Sequence, residues 1–129
     1  MQMTMEADYA VRIVDALATF REKTDAHTIS EATHVPLRFA LKILRKLVEG
    51  GIAVSFKGAH GGYSLARDPA EITLLQVLES VEGPYLMSRC QQEEYCCSHT
   101  ASCRFHQIYG EVTDLVRKKL DSYTFESIQ

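Results

Sequence analysis

The segment from Arg89 to His106 concentrates the side chains that could bind a soft metal. It reads RCQQEEYCCSHTASCRFH and holds all four cysteines of the chain and two of its five histidines. Thiolate and imidazole are ligands for zinc, copper and iron–sulfur clusters. In a reducing cytosol, clustered cysteines are more typical of metal binding or redox sensing than of disulfide cross-links. The segment therefore predicts a metal site that the other elements must position.

Composition limits the architecture that surrounds this segment. The chain has 129 residues, of which 46% are hydrophobic, and this is enough for one compact domain or a small domain with a dimerisation element. Its apolar stretches are short and interrupted by charges, and the N-terminal sequence MQMTMEADYA lacks the basic and apolar regions of a signal peptide. We expect a cytoplasmic protein that does not engage a membrane.

The basic residues are concentrated in one stretch of an acidic chain. The net charge of the whole chain is -3. Between Val35 and Arg67, a single acid, Glu49, accompanies six basic residues, namely Arg38, Lys42, Arg45, Lys46, Lys57 and Arg67. Such a local excess of positive charge predicts a directed contact with a polyanion such as DNA.

The first half of the chain has the pattern of a helix-turn-helix. Apolar residues at helical intervals predict a first helix over Met5 to Phe20. The sequence Thr28-Ile29-Ser30-Glu31 matches a capping box and predicts the start of a short second helix. That helix breaks near Val35, and Pro36 suits the first position of a third helix that ends at Glu49. Two helices separated by so short a turn are typical of the motif.

The third helix carries two stripes at helical spacing. The apolar stripe, which should face the core, comprises Leu37, Leu41, Leu44 and Val48. The other stripe comprises Arg38, Lys42, Arg45 and Glu49 and should meet solvent or phosphate. A solvated surface is the simpler interpretation of basic residues on their own. Their position after a helix-turn favours DNA.

A β-hairpin follows the third helix, as in a winged helix. The segments 52–56 and 63–66 alternate like strands and flank a glycine-rich turn over 57–62. The turn lacks the lysine and hydroxyl residue that end a phosphate-binding P-loop, and a strand rather than a helix follows it. A wing that lays Lys57 along DNA phosphates is the better interpretation.

Two helices complete the predicted fold. Thr73 should begin a fourth helix that Gly83 ends, and a last helix should run from about Arg104 to Leu120. The last helix has an apolar stripe at three- and four-residue intervals, made of Phe105, Ile108, Tyr109, Val112, Leu115, Val116 and Leu120. A symmetry mate, together with the first helix, is the simplest cover for this stripe, and intramolecular packing alone is the alternative.

These predictions define a mainly α-helical fold with a small β-hairpin. We expect a winged helix-turn-helix DNA-binding domain over 1–83, a cysteine-rich cluster-binding loop over 84–103, and a dimerisation helix and tail over 104–129. The chain should therefore act as a homodimer.

The chain resembles the IscR, NsrR and RirA family of bacterial iron–sulfur transcription regulators. The resemblance extends from Asp8-Tyr9-Ala10-Val11-Arg12 through Val35-Pro36-Leu37-Arg38-Phe39 to the weaker match at Leu120-Asp121-Ser122-Tyr123-Thr124. Its most specific part is the wing sequence GGYSLA together with the cysteines downstream of it. It implies a bacterial winged-helix dimer that binds a palindromic operator in double-stranded DNA.

The resemblance also implies three cysteine ligands for an iron–sulfur cluster. Cys97 and Cys103 have the family's typical spacing of five intervening residues, which leaves Cys90 as the first ligand and Cys96 as supernumerary. The gap from Cys90 to Cys97 is one residue longer than in the family's pattern. A set of Cys90, Cys96 and Cys103 therefore stays open.

Two residues compete for the fourth ligand position, and the choice decides the cluster type. His106, one turn after Cys103, matches the histidine ligand of 2Fe–2S members of the family. Asp8 matches the aspartate that the partner subunit supplies in nitric-oxide-sensing 4Fe–4S members. From spacing alone, Asp8 and Arg12 would form an exposed ion pair, and a histidine near a helix start is usually a partly exposed polar residue.

Zinc and thiol chemistry are the rivals of an iron–sulfur cluster. Three cysteines and a histidine also form a tetrahedral zinc site, which would be structural because zinc does not change its oxidation state. A thiol-based redox switch without a cluster is another alternative. A thiol redox enzyme is less favoured, since no motif supplies the oriented base or the substrate pocket that catalysis needs. We expect the chain not to be an enzyme.

The expected function is control of transcription by a cluster that senses iron, redox state or nitric oxide, in a repressor or an activator. The expected DNA contacts are made by Thr28, Arg38 and Lys42, with Lys57 and His60 on the wing. Loss or oxidation of the cluster would move the loop over 90–103 against the last helix. That movement would alter the spacing or mobility of the two recognition helices.

Overall fold

The computed structural model describes residues 2–92 and 103–129. Over these ranges the fold is mainly helical with one β-hairpin, which confirms the predicted class. The elements are α1 (Met5–Phe20), α2 (Ala26–Thr33), α3 (Leu37–Glu49), β1 (Ala53–Phe56), β2 (Gly62–Leu65), α4 (Leu74–Glu82), α5 (Arg104–Asp121) and α6 (Phe125–Ile128). Short 3-10 turns lie at Pro69–Glu71 and Arg89–Gln91. None of the helices in the described ranges is long and apolar enough to cross a membrane.

The start of α2 differs from the prediction, and Thr28 is not its N-cap. The N-cap lies three residues earlier, at Asp25, and the helix begins at Ala26. The Asp25 carboxylate accepts a bond of 3.2 Å from the Thr28 N–H and one of 2.6 Å from the Thr28 hydroxyl. Those two bonds stabilise the ionised form and lower the pKa of Asp25 below its ordinary value. An ionised carboxylate is a stronger acceptor than a hydroxyl, so aspartate takes the cap.

The buried face of α3 also differs from the predicted stripe. Leu44 is buried, but Leu37 and Leu41 are 38% and 44% exposed. The core positions of α3 are Ala40, Ile43, Leu44 and Leu47. Both sets have helical spacing, so periodicity alone could not choose between two faces of the same helix. Pro36 precedes the helix as its N-cap instead of occupying the first helical position.

The core lies among α1, α2, α3 and α4, with α1 packing against each of the others. Fully buried residues from these helices include Ile13, Val14, Ile29, Ile43, Leu44, Leu47 and Val77. The predicted bounds of α4 are confirmed, since the Thr73 hydroxyl accepts from the Gln76 N–H and Gly83 ends the helix with a φ of 82°. The apolar packing of α1 against α3 fixes the helix that carries the basic stripe.

The hairpin is an antiparallel pair that is tied to the helical core. Ala53 lies opposite Leu65, and Phe56 lies opposite Gly62. Backbone bonds of 2.9 and 2.8 Å join Thr24, in the loop after α1, to Tyr63. A Cβ at Gly62 would lie 2.7 Å from the Thr24 carbonyl oxygen, so the close approach of these two backbone segments requires glycine. This explains one glycine of the GGYSLA sequence.

The C-terminal tail returns to the winged helix. The Phe125 side chain, at the start of α6, is fully buried in the same core. Its N–H donates to the Ile72 carbonyl over 3.0 Å, and the Leu74 N–H donates to the Tyr123 carbonyl over 2.9 Å. The Thr73 hydroxyl also donates to the Asp121 carboxylate over 2.7 Å. These contacts anchor the end of α5 to the start of α4.

Candidate nucleic-acid interface and metal centre

The outward face of α3 combines basic and apolar side chains. Arg38, Lys42 and Arg45 are exposed there, beside the exposed leucines at 37 and 41. The Arg38 guanidinium carbon lies 4.8 Å from the centre of the Phe39 ring, a cation–π distance that restrains the arginine. The Arg45 Nε lies 3.3 Å from a Glu49 carboxylate oxygen in an exposed ion pair. This face offers cations and apolar groups together on one surface.

The Lys42 ammonium is engaged within the chain. Its Nζ lies 2.7 Å from one oxygen of Glu6 in α1, and the Lys46 Nζ lies 2.9 Å from the other oxygen. The hydrogen bonds from Lys42 and then from Lys46 lower the pKa of Glu6 from 4.5 to about 2. The Glu6 carboxylate is therefore ionised at any physiological pH. Sequence reasoning missed this contact because Glu6 lies far from α3 along the chain.

The remaining predicted DNA contacts lie at the start of α2 and on the wing. Thr28 is exposed, and its hydroxyl is bound to Asp25. Lys57 and His60 are both exposed in the turn between β1 and β2. The Lys23 ammonium, which sequence reasoning did not single out, lies 5.4 Å from the ring of Phe56, the last residue of β1 before this turn. The wing thus adds cations to those of α3.

One thiol and one imidazole of the predicted metal site lie together. Cys90 sits in the 3-10 turn after Ser88, and its Sγ lies 3.2 Å from Nδ1 of His106 in the first turn of α5. Cys103 directly precedes α5 as its N-cap residue. Cys96 and Cys97 fall outside the described residues. Over residues 2–92 and 103–129, no group of three histidine, cysteine or acidic side chains is close enough to hold a metal ion.

Asp8 lies in the first turn of α1. Its carboxylate oxygen is 2.8 Å from a guanidinium nitrogen of Arg12, and both side chains are about half exposed. This is the exposed ion pair that their four-residue spacing predicts. A carboxylate in this state is available to exchange its arginine for another partner, since exposed pairs contribute only about 0–1 kcal/mol.

A polar face of α5 holds the segment that carries Cys90. His106, Gly110 and Thr113 follow each other at four- and three-residue intervals, so they share one face of the helix. Thr113 is only 4% exposed; its hydroxyl donates to Gln91 Oε1 over 2.6 Å and accepts from the Met87 N–H over 3.1 Å. Side chains and backbone on both sides of Cys90 are therefore fixed to α5.

The glycine in this face permits the close approach. A Cβ at Gly110 would lie 3.1 Å from Nε2 of Gln91, tighter than nearly all ordinary contacts. Sequence reasoning missed the face because it followed the apolar stripe of α5. The available signal was the spacing of a histidine, a glycine and a threonine on one side of the predicted helix.

Further contacts lead from α5 to α3. Arg117, one turn beyond Thr113, forms an ion pair with Glu79 of α4. Glu79 also accepts a bond of 2.7 Å from the Tyr85 N–H. At the end of α4, the Val81 carbonyl accepts from Lys46 Nζ over 3.3 Å. The Cys90 segment is thus connected to the basic helix α3 through α5 and α4.

Replacement of Thr113 tests whether its hydroxyl holds the segment before Cys90. Thr113→Val keeps the volume but leaves the Met87 N–H and the Gln91 side-chain oxygen Oε1 without their partner, so we expect a loss of about 1–3 kcal/mol in local stability. Hydrogen exchange at the Met87 amide, followed by NMR, should accelerate. Thr113→Ser retains the hydroxyl and is the matched control. Unchanged protection of Met87 in the valine variant would show that the hydroxyl does not anchor the segment.

The helical core, the exposed basic α3 and the hairpin that follows it define a winged-helix protein of the DNA-binding class. The family model described as "Iron-dependent Transcriptional regulator", Rrf2, matches residues 3–129, and the chain belongs to this family. The predicted family resemblance is thereby confirmed. Members of this family regulate transcription, which confirms the prediction that the chain is not an enzyme and excludes the thiol redox enzyme.

Relatives of known sequence are similar over nearly the whole chain. An rrf2-like HTH-type transcriptional regulator of Rhodobacter capsulatus is 30% identical over an alignment of 136 residues that covers 98% of this chain and 91% of the relative. Protein rrf2 of Nitratidesulfovibrio vulgaris is 26% identical over 130 residues, which cover 99% and 87% of the two chains.

Solved structures share the fold. IscR of T. potens superposes with a TM-score of 0.75 at 22% identity, over 99% of this chain and 85% of that chain. CymR, the global cysteine regulator of B. subtilis, superposes with a TM-score of 0.79 at 23% identity, over 99% and 95%. An oxidised form of Staphylococcus aureus CymR gives a TM-score of 0.73 at 21% identity, over 99% and 95%.

Proposed function

We propose that the chain is a homodimeric regulator of bacterial transcription whose affinity for a palindromic operator depends on an iron–sulfur cluster. The observation that carries the proposal is the approach of Cys90 Sγ to His106 Nδ1 at 3.2 Å, at the point where the Cys-rich segment meets α5. Thiolate and imidazole nitrogen are the donors that ligate iron in such clusters. The protein would act in the cytoplasm, where its DNA lies.

The donor set fits an iron–sulfur cluster. Cys90, Cys97 and Cys103 would supply the thiolates, with Cys96 as the alternate to Cys97. The position of His106 beside Cys90 favours His106 as the fourth ligand and a 2Fe–2S cluster. Asp8 of the partner subunit is the alternative fourth ligand and would favour a 4Fe–4S cluster. When bound, the cluster supplies one-electron redox chemistry and so a signal of iron supply, redox state or nitric oxide.

The chain's own residues would transmit that signal. Thr113 and Gln91 hold the Cys90 segment against α5, Arg117 joins α5 to α4 through Glu79, and α4 contacts α3 through Lys46. A shift of the Cys90 segment would therefore change the position of α5 relative to the DNA-binding helix. Such coupling must appear as a difference in DNA affinity between the two states.

The proposed dimer would bury the outward stripe of α5. Phe105, Ile108 and Leu115 are exposed in one chain, while α5 packs against α4 on its other side. Large apolar side chains at helical spacing are a ready surface for a two-fold partner. A dimer would place two copies of α3 on one operator, which suits a palindromic sequence.

The DNA contacts would combine cations with apolar groups. Arg38 and Lys42 would enter the major groove near the start of α3, with Thr28 at the backbone and Lys57 and His60 on the wing at the backbone or the minor groove. Leu37 and Leu41, exposed on the same face of α3, can contact thymine methyl groups.

Replacement of Arg38 tests the DNA-binding face. Arg38→Ala should weaken binding to duplexes that the protein selects from a randomised pool by about 1–3 kcal/mol, since it removes a restrained cation from the exposed face of α3. Fluorescence anisotropy measures the change. Lys118→Ala on α5 removes the same charge far along the chain and is the control. An equal effect of the two variants would remove Arg38 from the interface.

Anaerobic purification distinguishes the cluster from its rivals. We expect visible absorbance from the purified protein, with iron and sulfide in proportion to the chain, and Mössbauer spectra then assign the cluster type. A colourless protein with stoichiometric zinc would contradict the proposal and indicate a structural zinc site.

A thiol-based redox switch without a cluster is the second candidate. The similarity of the fold to oxidised CymR supports it, as does the partly exposed Cys90 thiol beside an imidazole. Metal-free, colourless protein whose DNA affinity changes on reversible thiol oxidation would favour this candidate.

A further inference from the structure

We infer that Glu6 competes with DNA for Lys42: in the free protein it binds the ammonium group that α3 would otherwise present to a phosphate, and so lowers the affinity for DNA of any sequence. The inference rests on the proposed role of α3 in DNA binding. It assigns to the first turn of α1 a part in setting that affinity.

The geometry makes Glu6 an anion at the edge of the DNA-binding face. Its two carboxylate oxygens lie 2.7 Å from Lys42 Nζ and 2.9 Å from Lys46 Nζ. The carboxylate and a DNA phosphate are both oxyanions, and the lysine ammonium binds either of them as a compact point charge. DNA must therefore displace Glu6 before Lys42 can contact its backbone.

The two lysines differ in their freedom to exchange partners. The Lys46 side chain is 33% exposed and also donates to the Val81 carbonyl over 3.3 Å, so it connects α1, α3 and α4. The Lys42 side chain is 56% exposed and lies on the same outward face as Arg38 and Arg45. Lys46 is placed to keep Glu6 fixed while Lys42 swings from the carboxylate to a phosphate.

The direction of the effect follows from this exchange. When Lys42 moves to DNA, the chain gives up one partly exposed ion pair. Exposed pairs are weak, so removal of Glu6 should tighten DNA binding by about two- to fivefold for each DNA-binding half. Because a phosphate contact is independent of sequence, the gain should be the same for any duplex.

The test measures binding of the full chain to a fluorescein-labelled, mixed-sequence duplex of about three helical turns. Glu6→Gln, which keeps the size and polarity of the side chain, should bind more tightly than the wild type at about 50 mM salt, by about two- to fivefold for each DNA-binding half and so about four- to 25-fold where both halves of the proposed dimer contact the duplex. The difference should narrow at about 200 mM salt, where ion pairs between exposed groups are screened.

Two further variants separate competition from a general change of charge. Glu126→Gln, in α6, makes the same change in net charge and should leave the affinity nearly unchanged. In a Lys42→Gln background, Glu6→Gln should have no further effect. The inference would be overturned if Glu6→Gln bound the duplex no more tightly than the wild type. It would also be overturned if Glu126→Gln raised the affinity equally, or if Glu6→Gln still raised the affinity in the Lys42→Gln background. If the wild type bound no duplex at all, the proposed DNA-binding function would fail with it.

Discussion

Cys90→Ser is expected to abolish stable cluster binding. The substitution removes the sulfur that lies against the His106 imidazole and replaces it with a hydroxyl, which is a far weaker ligand for iron. Iron, sulfide and visible absorbance per chain, measured after anaerobic purification, should all fall to background. Circular dichroism should remain that of a folded winged helix, because Cys90 lies outside the buried core.

The adjacent cysteines provide the matched control for this result. Cys97→Ser should remove the cluster almost as completely as Cys90→Ser, whereas Cys96→Ser should retain it. The reverse order would exchange the roles of Cys96 and Cys97. Full cluster occupancy in Cys90→Ser would contradict the assignment of Cys90 as a ligand and with it the role given to its contact with His106.

Phe125→Ala should cost about 3–5 kcal/mol of unfolding free energy, which is a large fraction of the stability of a domain of this size. Phe125 is fully buried, and its side chain anchors the tail after α5 into the core of the winged helix. Denaturation by urea, followed by circular dichroism, measures the loss. The cavity left by the ring is the main cause, since the backbone bond to Ile72 does not depend on the side chain.

Ile128→Ala is the matched control in the same short helix, because the Ile128 side chain is exposed. We expect it to change the unfolding free energy by less than about 0.5 kcal/mol. Comparable losses in the two variants would show that α6 contributes as a whole and that burial of the Phe125 ring does not dominate.

The sequence predicted the elements better than the faces they bury. Both ends of α4 and the extent of α1 follow from caps and apolar periodicity, which are local properties. For α3, two sets of apolar residues have the same helical spacing. In the folded chain, Ala40, Ile43 and Leu47 are buried, whereas Leu37 and Leu41 are exposed. Likewise, the N-cap of α2 is Asp25, which lies three residues before the predicted cap at Thr28.

For both candidate sites, the sequence predicted the types of residue involved better than it predicted their contacts. The pairing of Cys90 with His106 joins residues sixteen positions apart, which the family resemblance suggested and the fold brings together. Contacts such as Glu6 with Lys42, or the Phe125 ring with the core, join residues much farther apart in the chain. Such contacts depend on tertiary packing, and no local pattern encodes them.

The proposed function requires that the cluster control DNA binding. Its most direct test is the affinity of one anaerobic preparation for DNA selected from a randomised pool, measured before and after removal of the cluster by a chelator. We expect the two affinities to differ by about tenfold or more, as is usual for coupled sites. Equal affinities of the cluster-loaded and cluster-free protein, with the cluster confirmed spectroscopically in the first, would show that the cluster does not control DNA binding.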